Sequence, residues 1–254
     1  MFSFPGGVPA GQLTLQAEVG GVCSDVKGNV WLTTSRYSDH ETEVVEFAHG
    51  ATTPFAAING AGNNPRGCSV DPASGDLAVA TYGGGTSNRN PGNVVVFPAA
   101  PKYPPVTYKV TRDAHFFFCT YDANGNLYVD GISASNDFVF YELPKGASGF
   151  VAVTLNHAIS GPGGVQWDGS HVAVADGSSF QIYRFKVSNR KGTLVGTTSL
   201  ENAAPLGYQF WIQGATVVAQ PDNRNQFAYW NYPAGGLPTK TFAGTQFNAF
   251  TVSR

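Results

Sequence analysis

"DANGNLYVDG" occupies residues 122–131, and near-copies recur as "DVKGNVWLTT" from Asp25, "DPASGDLAVAT" from Asp71 and "DGSHVAVADG" from Asp168. Each copy is an Asp, a short turn carrying Gly28, Gly75, Gly125 or Gly169, and an apolar run rich in β-branched and aromatic residues. Gly tolerates positive φ, and an Asp carboxylate accepts bonds from backbone two residues on, so these residues close tight turns. Apolar runs also precede the Asp: "GVCSD", "GCSVD", "FFCTYD" and "GGVQWD". The phrase is therefore a β-hairpin written four times, each time followed by a different polar loop.

The copied unit extends beyond the hairpin. A third apolar run follows each loop ("EVVEFAHGATT", "NVVVFPAAPKY", "FVFYELPKGAS", "QIYRFKVSNRKGT"), and its turn opens a fourth such as "PVTYKV" or "FVAVTL". A more divergent fifth copy reads "GYQFWIQGATVVAQ" and "FAYWNYPAGGLPTKTF". Four short strands in roughly 40–50 residues are the mark of a propeller blade. One such sheet cannot cover both its faces, whereas a ring of them can. At the ends, "MFSFPGG" and "QLTLQ" read as third and fourth strands, and "FNAFTVSR" reads as a first strand. The expectation is an all-β, six-bladed β-propeller of one domain, residues 1–254, with five complete blades. The sixth is divided, residues 247–253 pairing with 1–5, which leaves no open edge.

Composition narrows the class. Hydrophobic residues make up 42% of the 254 and charged residues 13%, with 31 Gly and 16 Pro, which favours a turn-rich folded domain over disorder or long helices. Net charge is −2 with no basic run, which argues against a dedicated nucleic-acid binder. No apolar stretch reaches the roughly 20 residues of a membrane span. The first residues lack the basic and apolar regions of a signal peptide, although a leader can be removed by processing.

The pattern G-x-x-x-D-x-x-G-N-[LV]-[YW]-V, followed by V-x-[VE]-[FY], resembles the NHL-type propellers and the wider calcium-dependent six-bladed superfamily of gluconolactonases, paraoxonases and streptogramin lyases. "EFAHGATTP" and "GGVQWDG" also look like a group of uncharacterised exported bacterial propellers. The resemblance implies a calcium site at the channel mouth, built from Glu, Asn and Asp, and a monomer of possible periplasmic or extracellular location. The gluconolactonase ligand motifs have no position-by-position match here. "GGVQWDG" holds the lone Trp-Asp pair, in an inner strand with no Gly-His before it, which excludes a WD repeat.

In a propeller the loops from strand four to the next strand one share a face with those from strand two to three. Here that face carries 59–67, 111–117, 156–164, 201–207 and 244–248, with 34–43, 82–93, 130–137, 176–179 and 220–225, and so most of the loop-borne His and Asp. His115 and His157 precede inner strands and can approach the axis. Asp130 and Asp176 end second strands. With Asn156 they offer oxygen ligands for Ca²⁺, and either His offers a general base for hydrolysing a small lactone or ester. The bland alternative makes each His a backbone-bonded loop residue and each Asp a turn former. His49 and His171 fall on the opposite face, and His40 lies in an acidic loop. The "GGG" at 83–85 precedes no helix and reads as flexibility, while Phe116-Phe117-Phe118 reads as interblade core. No G-x-S-x-G, H-E-x-x-H, Walker loop or C-x-x-C occurs. A metal-dependent hydrolase requires those polar groups in one cluster. A non-catalytic propeller binding a glycan or protein would instead show exposed aromatics such as Tyr37, Tyr82 and Tyr208. An elimination enzyme like the streptogramin lyases is a third reading.

Of three cysteines, Cys68 and Cys119 stand three residues before their turn Asp and Cys23 two before. Alternation in strands makes Cys23 and Cys68 face each other across adjacent blades. An oxidising compartment permits a bond between them, with Cys119 a buried thiol; three packed free thiols are the alternative.

Overall fold

The computed structural model describes residues 1–36, 41–84, 91–98, 104–110, 114–205, 207, 209–223, 225–244 and 249–253. Those residues carry strands and turns and no helix. The first sheet holds β1 (Ala17–Ser24), β2 (Val30–Arg36), β3 (Thr42–Phe47) and β4 (Ala56–Asn59), in that order. The second repeats the plan with β5 (Pro65–Val70), β6 (Leu77–Thr81), β7 (Val94–Phe97) and β8 (Val106–Tyr108), and the third with β9 (Ala114–Tyr121), β10 (Leu127–Ser133), β11 (Phe138–Leu143) and β12 (Val151–Ala152). In the fourth, β13 (Thr154–Leu155) pairs parallel to β17 (Lys191–Ser199), outside β16 (Gln181–Ser188), β15 (Val172–Ala175) and β14 (Val165–Trp167). The fifth holds β18 (Trp211–Gln213), β19 (Thr216–Ala219), β20 (Gln226–Asn231) and β21 (Gly235–Ala243).

The repeated phrase is the hairpin of the two inner strands. Gly28, Gly75, Gly125 and Gly169 all have φ of 79–97°. Asp25 Oδ1 accepts from the N–H groups of Lys27 and Asn29, Asp122 Oδ1 from those of Asn124 and Asn126, and Asp168 Oδ1 from those of Ser170 and His171. The middle strands are buried along their whole length, as in "LAVAT" and "VVVF". Their continuous apolar runs cover both faces, because a neighbouring sheet lies on each side.

Sheet-to-sheet cores follow. Trp31, Val44, Leu77 and Phe97 fill the first joint; Val94, Phe116, Leu127 and Val129 fill the second. Phe118, Phe140, Val174 and Phe185 fill the third; Ile182, Phe210, Val217 and Trp230 fill the fourth. Full burial of each such side chain stabilises by about 1.5–3 kcal/mol. Inner strands approach so closely that a Cβ on Gly20 would lie 2.0 Å from the Pro65 carbonyl oxygen, which requires glycine there.

Each inner strand is also tied to the next by its own polar link. Cys23 and Cys68 form a disulfide between β1 and β5, so the oxidised alternative holds, and Cys119 is a buried free thiol. Tyr121 N donates to Ser69 Oγ (3.0 Å), and Trp167 N donates to Thr120 Oγ1 (3.0 Å). The Gln166 amide both donates to the carbonyl of Ile212 and accepts from its N–H. Gln209, just ahead of β18, does the same with Val22 in β1, accepting from its N–H at 3.1 Å and donating to its carbonyl at 2.5 Å. Sheet five is thereby joined to sheet one.

The termini depart from the expected divided blade. The described residues form five sheets, and residues 249–253 carry no strand. Phe250 and Val252 pack with Phe2 on sheet five, while Ala249, Leu13 and Leu15 pack on sheet one. The Val252 carbonyl accepts from Ser24 Oγ (2.9 Å), and Thr251 Oγ1 donates to that same Ser24 oxygen. A wedge of chain therefore fills the gap where a sixth sheet was expected. Pro5 and Pro9 lack N–H donors, and Gly6 and Gly7 sit in a tight turn, so residues 1–10 make one bridge, Phe2 to Pro9, in place of a ladder.

Candidate functional site

Asp130 is fully buried in β10. Phe117 and Phe118 form a bulge opposite it, so the Phe118 N–H loses its ladder partner and donates to Asp130 Oδ1 at 2.8 Å. Asp130 Oδ2 accepts from Gly163 N at 3.1 Å. Burial pushes this carboxyl well above the usual range, against the backbone donors that favour its charge. Asp176, also buried, accepts from Ser160 N (3.2 Å) and Ser178 N (3.0 Å). The two aspartates thus clamp the 160–163 segment between sheets three and four. In each, both carboxylate oxygens are engaged by backbone.

Asn156 is not brought to them. It is exposed beside the outermost strand of sheet four, where its Oδ1 accepts from Leu194 N at 2.7 Å. His157 packs its ring 4.3 Å from that of Tyr183, on the third strand of the same sheet. The sequence placed these two at the axis because they precede an inner strand. In the structure, β13 first pairs with β17 at the rim, and the chain then crosses inward through 156–164. His115 does lie at the start of an inner strand, but its Nδ1 is 2.6 Å from the Tyr82 carbonyl oxygen and its ring stacks on Tyr82 at 4.4 Å. Among the described residues no three His, Cys, Asp or Glu side chains come together to hold a metal ion. His49 bonds Ser253 Oγ, while His40, Tyr37 and Tyr208 lie outside the described residues.

The sequence reading missed Arg66, the second residue of β5 as His115 is of β9. Its guanidinium lies 5.7 Å from the Tyr82 ring centre, and Phe117 meets that ring edge-on at 5.3 Å. Arg66 Nε is buried without a hydrogen-bond partner. Arg66, Tyr82, His115 and Phe117, all half-buried, form a cationic and aromatic stack on the loop-rich face. The shared position at the start of an inner strand was the available signal.

The fourth hairpin carries a different device. Asp168, whose side chain is 1% exposed, accepts at Oδ2 from Arg184 Nε and from the Tyr232 hydroxyl, both at 2.7 Å. Burial alone would raise its pKa; the bonds from Tyr232, Arg184, and the His171 and Ser170 N–H groups overcome that and hold it at about 2. This pins sheet four to sheet five.

One cavity of about 120 Å³ opens between sheets two and three on the hairpin-turn face, opposite the loop-rich one, lined by Asp71, Asp76, Tyr108, Tyr121, Lys145 and an apolar floor including Leu127.

No protein-family model matches this sequence, and no curated protein matches it. Among solved structures, a chain from "Crystal structure of Nidogen/Laminin Complex" is similar with a TM-score of 0.72 at 13% identity, covering 94% of this chain and 86% of that one. The chain is a β-propeller. At that identity the likeness concerns fold alone.

Proposed function

We propose that this propeller is a non-catalytic binding module that presents its loop-rich face to a protein partner. The observation that carries the reading is the engagement of the candidate catalytic groups. Asp130 and Asp176 are spent on backbone N–H groups, His115 is stacked and bonded, and Asn156 and His157 stand towards the rim. A hydrolytic site requires a base and a cation within reach of one reacting atom. What the same face offers instead is Arg66 with Tyr82, His115 and Phe117, and Arg and aromatic side chains are those that anchor protein interfaces. The similar solved structure is titled as a complex of two proteins, which agrees with this choice.

The test is a screen of immobilised protein against extracellular proteins and a glycan array, repeated with Tyr82→Ala and Arg66→Ala. A protein ligand whose affinity falls tenfold or more in both variants supports the reading. A glycan ligand in its place, or chelator-sensitive hydrolysis of lactones or esters by the wild type, overturns it.

A further inference from the structure

On the loop-rich face, Arg66 owes its place to a β-bulge. Pro65 pairs with Thr81 and Cys68 with Val79, so Arg66 and Gly67 together stand opposite Ala80. A bulge bends its strand and re-aims a side chain. The bulge of Phe117 and Phe118 opposite Asp130 is the same device at the same end of β9. Arg66 is held firmly in this position. Its carbonyl accepts from the Thr33 hydroxyl at 2.6 Å, and Cys68, two residues on, is tied to Cys23. Tyr82, whose ring lies against the guanidinium, is fixed in turn: its N–H donates to the Asn64 carbonyl at 3.0 Å, and its own carbonyl accepts from His115 Nδ1.

The charge so positioned is uncompensated. Arg36 pairs with Glu41 and Arg184 with Asp168, but among the described residues no carboxylate pairs with Arg66. Its Nε, moreover, is buried without a hydrogen-bond partner. Buried donors in folded proteins are nearly always paired, so an orphaned one calls for a partner from outside. The donors of a guanidinium lie in its plane, so a ring against its face leaves them free for an acceptor at the edge. Nε and one neighbouring nitrogen together match the two oxygens of a carboxylate.

We infer that Arg66 anchors a carboxylate of the partner, carried on an aspartate or glutamate side chain that docks beside Tyr82. This rests on the protein-binding reading above and names the chemistry that the partner supplies. The rings of Tyr82, His115 and Phe117 give the aliphatic stem of that side chain a surface to cover, and a partner that excludes water strengthens the ion pair. A phosphate carries more charge and is met by clustered Arg side chains. Here one guanidinium stands among rings.

The probe is the blocked tripeptide Gly-Glu-Gly, titrated into the full chain while the Arg66 Nε–H and Tyr82 amide resonances are followed by NMR. Saturable shifts of both are expected, with the Gly-Gln-Gly counterpart binding about tenfold more weakly or worse, as for loss of a hydrogen bond to a charged group. Arg66→Lys keeps the charge and gives up the fork, and should weaken the glutamate peptide about tenfold, read at the Tyr82 amide. Arg66→Gln should melt within about 4 °C of the wild type; a larger fall assigns the guanidinium to the protein's own structure and overturns the inference. So does the absence of a saturable shift, equal binding of the glutamine peptide, or full affinity in Arg66→Lys. Tighter binding of a phosphoserine tripeptide overturns it in favour of a phosphate, and acetate binding as tightly as the peptide overturns it in favour of a free small carboxylate. A protein ligand that needs Tyr82 and Arg66, found while the peptide leaves Nε–H unmoved, keeps the binding face and removes the carboxylate. A peptide response with no protein ligand in the screen does the reverse.

Discussion

Asp168→Asn separates a structural use of the repeated phrase from a catalytic one. In the wild type the carboxylate is nearly enclosed, holds Arg184 and Tyr232 across the joint between sheets four and five, and titrates at about 2 against an ordinary 3.8. A folded-state pKa held below the unfolded value stabilises above the unfolded pKa, and that stability is lost as pH falls through the folded one. The difference of about 1.8 units corresponds to about 2 kcal/mol, present at pH 5 and above and fading between about pH 4 and 2. The amide keeps the size of the side chain but gives up the charge and one acceptor, leaving Arg184 half-buried and poorly paired. Breaking such a pair costs about 3 kcal/mol. Denaturant unfolding of both proteins at pH 7 should show that loss, and repetition down to pH 2.5 should show a flatter curve for the variant, the two converging by about 2 kcal/mol. Parallel curves, or equal stability at pH 7, would refute the assignment of this pH dependence to Asp168.

Four further outcomes follow from the joints and the buried groups beside them. The Cys23→Ser/Cys68→Ser double variant opens a loop of sequence separation 45, and chemical denaturation should register a loss of about 4 kcal/mol in the chain-entropy account. Cys119, whose thiol burial pushes up to about 12, should resist iodoacetamide at pH 8 and react fully in denaturant; labelling of the native protein would contradict its place in the core. Gln209→Ala leaves both Val22 backbone groups unpaired where sheet five meets sheet one, and calorimetry should report about 1–3 kcal/mol of destabilisation. Asp130→Ala should destabilise by about 2–5 kcal/mol with or without added calcium, because it orphans Phe118 N and Gly163 N; a loss reversed by calcium would restore the metal-ligand role.

The hairpins, their turn aspartates and the facing of Cys23 and Cys68 were legible because each depends on local spacing and the two-residue period of a strand. Phe116 and Phe118 also pack in interblade cores, as the apolar run implied. The site residues were read by the same local logic, which does not reach the distant groups that each side chain meets. Whether a loop Asp meets a metal or a backbone N–H depends on where the adjoining strand bulges, and the bulge at Phe117-Phe118 has no local mark. The stretch "FVAVTL" reads as one strand, yet Val153 divides it between two sheets, and that division carries Asn156 and His157 away from the axis. The wedge of the termini was half legible: both ends do meet between sheets five and one, but their Pro and Gly content keeps them from laddering.

The five inner-strand links differ in kind: a disulfide, a serine, a threonine, and two glutamines that grip different partners. A chain built of near-copies is at risk of docking the wrong copies, within one molecule or between two. Interchangeable joints would let a hairpin from one ring settle into another at little cost. Here a displaced hairpin would set Gln166 against a neighbour shaped for a hydroxyl, or leave Cys23 opposite a residue with no sulfur. Each blade thus carries an address, read by its neighbour alone, and the order of the ring is written in the residues that join it.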